Sequence, residues 1–220
     1  MSATDGEFTT TGPVITEGAF VGRFHADHLV RNHLVARSSW RVTTDDPAVA
    51  GAVAKLLGGD PPERQSGGDG AGVMTAARGV HVILDGPGAV SAGLVLRGPG
   101  GIVHHCDGAR LLSPEAERGR PCGCPTGVVD RKARALSGSG PAPETAVRFR
   151  LAADPGLGLF GFASASWKLA EHAPDLVTSL AAIGGGALCE LSIQTVEFTT
   201  AAGLRLPCWN PAITVTGPWR

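Results

Sequence analysis

Residues 104–124 read HHCDGARLLSPEAERGRPCGC and hold three of the chain's five cysteines and two of its seven histidines. A stretch this polar, broken by Gly and Pro, has too few apolar side chains to form a core of its own. Either the rest of the chain or a bound ion must hold it. Zinc takes about four nitrogen or sulfur ligands in a tetrahedron. Cys106, Cys122 and Cys124 supply three, and His104 completes the set, with His105 as the alternative fourth ligand. The spacing is His-x-Cys or His-Cys followed by Cys-x-Cys, not two Cys-x-x-Cys knuckles. A structural zinc site is therefore expected, against the competing reading of a loop with unligated thiols. In Cys-Asp-Gly, Asp107 is expected to bond the backbone and Gly108 to take positive φ.

Other chemistries for the same residues are weaker. A redox pair lacks Cys-x-x-Cys and a helix start behind Cys122 and Cys124, and a nucleophilic cysteine has less support still. A metal hydrolase built on His104 or His105 needs an open coordination position. Gly156, Gly158 and Gly161 formally match Gly-x-Gly-x-x-Gly, yet an alternating strand follows the first two where dinucleotide binding requires a helix. A hairpin turn after Asp154-Pro155 explains them. His25, His28 and His33 lack ligands to finish a second site, apart from Asp27, and are read as surface residues. Cys189 and Cys208 are read as structural. No Gly-x-Ser-x-Gly elbow, phosphate-binding loop or catalytic carboxylate pair is present, so a non-enzyme is expected.

The chain as a whole, 43% hydrophobic and 18% charged, has the balance of a folded globular protein, and its 32 Gly and 16 Pro imply many turns. The formal charge of −1 argues against a broad phosphate-gripping surface. The first twenty residues lack a basic start and an apolar core, which predicts a cytoplasmic protein.

Residues 1–38 show no clean period and are taken as an N-terminal arm, helical or extended. Trp40 to Thr44 reads as a strand, with Asp46 as N-cap and Pro47 opening a helix. Val49, Val53, Leu56 and Leu57 share one face of that helix, and Gly58 stops it. "VMTA", "VHVILDG" and "AGLVLRG" read as strands, completing a first half over 39–99. The Cys/His-rich loop spans 100–144 and leaves through a flexible "LSGSGPAPE". The second half, 145–220, holds a hairpin in "TAVRFRLA" and "GLFGFAS", then a helix that Pro174 should interrupt or kink. A long strand in "ALCELSIQTVEF" and an edge strand in "PAITVTG" close it. The fold class is α+β, with ferredoxin-like β-α-β units, two side by side, and the zinc-type loop inserted between them.

Over residues 40–216 the chain resembles the actinophage recombination directionality factors that partner large serine integrases. "VTTDDPAVAGAVAKLLGG", "CDG", "PCGCP", "ETAVRFRLAADPGLGLFGFASASWKLAEH" and "ALCELSIQTVEFTTAAGLRLPCWNPAIT" carry the likeness. The family pattern places a cysteine three positions before that of "CDG" and another ahead of the hairpin strand; this chain has Val103 and "SGPAPE" there. The resemblance implies a non-catalytic accessory protein that binds a serine integrase, on its coiled-coil-bearing zinc domain, and controls the direction of site-specific recombination without requiring DNA contact. Exposed apolar side chains on the sheet edge or the second helix are the first candidates for the interface. The alternative is an RNA-binding subunit of a CRISPR-type ribonucleoprotein, with Arg148 and Arg150 on the sheet face. It needs stacking aromatics, and the chain has no Tyr and 5% aromatics.

Overall fold

Asp46 caps the first helix: its Oδ1 accepts the N–H of Ala48 at 2.7 Å, Pro47 follows at the first turn, and Gly58 ends the helix at φ 66°. The computed structural model describes residues 20–30, 33–59, 63–64, 71–199, 203 and 205–220. Ahead of that helix, α1 (Pro47–Leu57), run β1 (Gly22–Val30) and β2 (His33–Thr44). Strands therefore stand where the sequence leaves an arm of undecided form, while 1–19 lie outside the described residues. After α1 come β3 (Glu63–Arg64), β4 (Ala71–Met74), β5 (Gly79–Asp85), β6 (Val90–Gly98), β7 (Gly101–Cys106) and β8 (Leu111–Ser113). Next are α2 (Val128–Leu136), β9 (Ala142–Leu151), β10 (Phe160–Ser164), α3 (Trp167–Ile183), β11 (Gly186–Thr199) and β12 (Arg205–Pro218).

The strands join in one sheet ordered β12-β11-β5-β9-β10-β1-β2-β4-β3, with β6 pairing β9 and β7, and β7 pairing β8. All these pairings are antiparallel except β1 with β10. The fold is thus mixed α+β, mostly sheet with three α-helices among the described residues. β5, from the first expected half, lies between β11 and β9 of the second. This order does not establish two ferredoxin-like units. β9 is the fork: its Leu151 end pairs β5, and its Ala142 end pairs β6, which carries the β7–β8 extension outward.

Alternation along β1, β2, β9 and β10 puts their aromatic residues on one side of the sheet. Phe24 meets Trp40, Phe149 and Phe160 edge-on, with centroids 5.8, 5.2 and 5.7 Å away. Trp40 meets Phe162 in the same way at 5.3 Å, and its indole N–H donates to the Arg78 carbonyl at 3.0 Å. α1 adds Val49 and Val53 to this core, and α3 adds Leu169, Leu176 and Leu180. Leu56, expected on the packed face, is 37% exposed. α3 runs through Pro174 as one helix, so of the expected interruption or kink the interruption does not occur. The apolar face that it buries outweighs the one backbone hydrogen bond that Pro174 cannot make.

Candidate metal centre

β7 and the Pro121–Pro125 turn bring the ligand candidates together. His104 and Cys106 are two apart on β7 and so project from one face. Cys122 and Cys124 are two apart in the turn, where Gly123 takes φ 72°. Asp107 and Gly108 turn the chain out of β7 as the sequence predicts. The Asp107 carboxylate accepts the N–H groups of Ala109 and Arg110, both at 2.7 Å, and Gly108 has φ 97°. Those two hydrogen bonds hold the Asp107 pKa below its ordinary value. The turn then returns alongside: the Cys122 N–H donates to Ala109 at 2.9 Å and the Leu111 N–H to Arg120 at 2.8 Å.

The result is a four-membered group, His104, Cys106, Cys122 and Cys124, whose ligand atoms all lie within 4.8 Å of one another. The Cys106 and Cys124 sulfurs are 3.7 Å apart, and His104 Nε2 is 3.5 Å from the Cys124 sulfur. Around a tetrahedral zinc with bonds of about 2.3 Å to sulfur and about 2.0 Å to nitrogen, those edges are about 3.8 and 3.5 Å. The donor set and both measured edges fit zinc. Among the described residues this is the one His/Cys/acid group close enough to hold an ion. His105 points elsewhere: its Nδ1 is 3.1 Å from the Ser113 hydroxyl. Burial lowers the His105 pKa, against the raising effect of Glu144.

Cys106 is fully buried. Without an ion, that burial pushes its thiol up to about 12, opposed by a backbone hydrogen bond at Gly108 and reinforced by the Cys124 thiol. Burial raises Cys124 as well. A bound cation reverses this preference, because thiolate ligands replace their protons with the metal charge. An ion held by all four residues would have its tetrahedral positions filled, whereas a zinc hydrolase needs one left open.

A family model described as Gp3-like, recombination directionality factor-like, matches residues 15–202. The chain belongs to this family. No solved structure matches it. Recombination directionality factor-like proteins are generally accessory, non-catalytic proteins, so membership supports an accessory role in recombination. In this family member all four clustered residues fall inside the matched region.

Other expectations resolve on geometry. Gly156 and Gly158 sit in the β9–β10 connection, with Gly158 at φ 121°, in the hairpin turn the sequence implies. Arg148 donates to the Gly88 carbonyl and Arg150 to the Asp85 carboxylate, each at 2.7 Å. His25 Nε2 is 2.9 Å from the Thr43 hydroxyl, while the side chains of His28 and His33 lie outside the described residues. Cys189 is buried and Cys208 half-buried, each apart from the cluster. No helix among the described residues is long and apolar enough to cross a membrane.

Sequence reasoning missed α2 and its Arg131. The Arg131 Nε donates to the Pro125 carbonyl, one residue past Cys124, and Nη2 donates to the Gly108 carbonyl at 2.8 Å, two past Cys106. The available signal was an uninterrupted run of helix formers, "RKARAL", before the Ser-Gly-Ser stop. The "flexible exit" is also ordered: Gly140 and Pro143 are buried, and β9 begins at Ala142.

Proposed function

We propose that this chain is a recombination directionality factor in the full sense, a non-catalytic protein that binds a large serine integrase and controls the direction of site-specific recombination. The family match over residues 15–202 carries the reading. The near-neutral charge supports action through a protein surface instead of phosphate contacts. Reversing a preference from 1:99 to 99:1 takes about 10⁴-fold tighter binding to one integrase arrangement than to the other. A rigid, preformed surface suits that task, since it gives up little entropy on binding.

Within the same proposal, residues 100–144 form a metal lobe, and His104, Cys106, Cys122 and Cys124 hold a structural zinc. When bound, the ion supplies folding energy to a segment without its own core. His104 and Cys106 anchor it to the sheet; Cys122 and Cys124 tie the returning turn to that anchor.

The test begins with affinity purification from the native host. The co-purifying integrase is then assayed on its integration-type and excision-type attachment sites, with and without this chain. The expected result is excision only in the presence of the chain, with integration suppressed. Unchanged products on both site pairs would refute the reading.

A further inference from the structure

Between residues 100 and 141 only Cys106, Gly108 and Gly140 are buried, and α2 contributes no buried side chain to any core. Yet α2 forms one wall of a groove of about 410 Å³. Val90, Leu94, Trp167 and Val177 of the sheet and α3 face it from one side, and Asp107, Val128 and Arg131 from the other. Lys132 reaches from α2 to α3, 3.3 Å from the Glu171 carboxylate and 5.7 Å from the centre of the Trp167 ring. An ion pair this exposed contributes too little to hold a helix in place.

Arg131 is better placed to do so. Its two hydrogen bonds end on carbonyls that follow Cys106 and Cys124, so it spans the two ligand-bearing segments. A guanidinium is a rigid fork and meets both carbonyls only when these segments stand at a set separation. An ion bound to all four ligands sets that separation. We propose that metal binding positions α2 through Arg131 and thereby builds the groove between α2 and α3. The inference rests on the zinc reading above and adds to it a positioning residue and a metal-dependent surface. Because coupling is reciprocal, loss of the Arg131 contacts also weakens the ion's hold.

The experiment measures backbone hydrogen exchange on the full chain, zinc-loaded and chelator-treated, beside native mass spectrometry. At saturating zinc the mass should show one ion, and amides of residues 128–136 should exchange about tenfold more slowly than in the metal-free chain. Amides of β9 and β10 should not change. Arg131→Gln, and Arg131→Lys as the variant that keeps the charge, should bind one zinc at saturation yet exchange α2 at the metal-free rate. Their unchanged β9 and β10 amides would show the fold intact. Equal α2 exchange with and without zinc overturns the coupling, and so does an Arg131 variant as protected as the wild type. A bare-chain mass in added zinc is a separate outcome: it removes the metal reading itself, and the coupling with it.

Discussion

Cys189 is fully buried in β11, and burial raises its thiol from 9.0 to about 11. The folded chain therefore holds this proton more tightly than the unfolded chain does. The associated stability is complete below about pH 9 and lost as the pH climbs through about 11. The chain has no tyrosine to titrate in that window. Urea midpoints measured from pH 8 to 10.5 should show the wild type's advantage over Cys189→Ala shrinking as the pH rises. A gap that stays constant would contradict the assignment. Gly108 shows how two demands meet at one residue. Its φ of 97° suits the turn, and a Cβ there would sit 2.5 Å from Arg131 Nη1. The turn was legible in Cys-Asp-Gly; the approach of a residue 23 positions away was not.

Helix ends show what local signals accomplish. The Asp46 cap on α1 has a counterpart on α3, where the Ser166 hydroxyl accepts the Leu169 N–H at 3.2 Å. Asp46→Ala should cost about 1 kcal/mol in thermal or urea unfolding, and Asp46→Asn should recover most of it. Equal losses in the two variants would mean that charge, not the capping hydrogen bond, stabilises that end. Pro174 shows the opposite case. Its local signal is a break, but Leu169, Ala173, Leu176 and Leu180 are buried along one face on either side of it. α2 has neither a side-chain cap nor a buried face, so nothing local marks it except a short run of helix formers.

Among the described strands, β12 stands at the edge of the sheet, and long open edges invite pairing with other chains. The Ile193 N–H donates to Arg78 at 3.0 Å, away from its cross-strand partner Pro211. Ile193 and Pro211 are thus a non-hydrogen-bonded pair, and the Pro211 nitrogen faces the free edge. Pro207 has the same parity, so two outward positions carry no donor. Replacing both with Val should restore them and raise the fraction of dimer or aggregate seen in sedimentation as concentration rises. A strictly monomeric double variant would show that these prolines do not guard the edge.

The sequence by itself determined the elements whose cause is local: the capped α1, the β9–β10 hairpin, the long β11 strand and the Asp107-Gly108 turn. It also singled out His104, Cys106, Cys122 and Cys124, because ligand chemistry is written in residue type. Tertiary structure alone decided which histidine turned toward the thiols, since strand alternation sends His104 one way and His105 to Ser113. It also decided the placing of β5 beside β11, the continuity of α3 through Pro174 and the bridge from Arg131 to two distant carbonyls. Each of these depends on contacts between residues far apart in the chain, and no local period or spacing encodes such contacts.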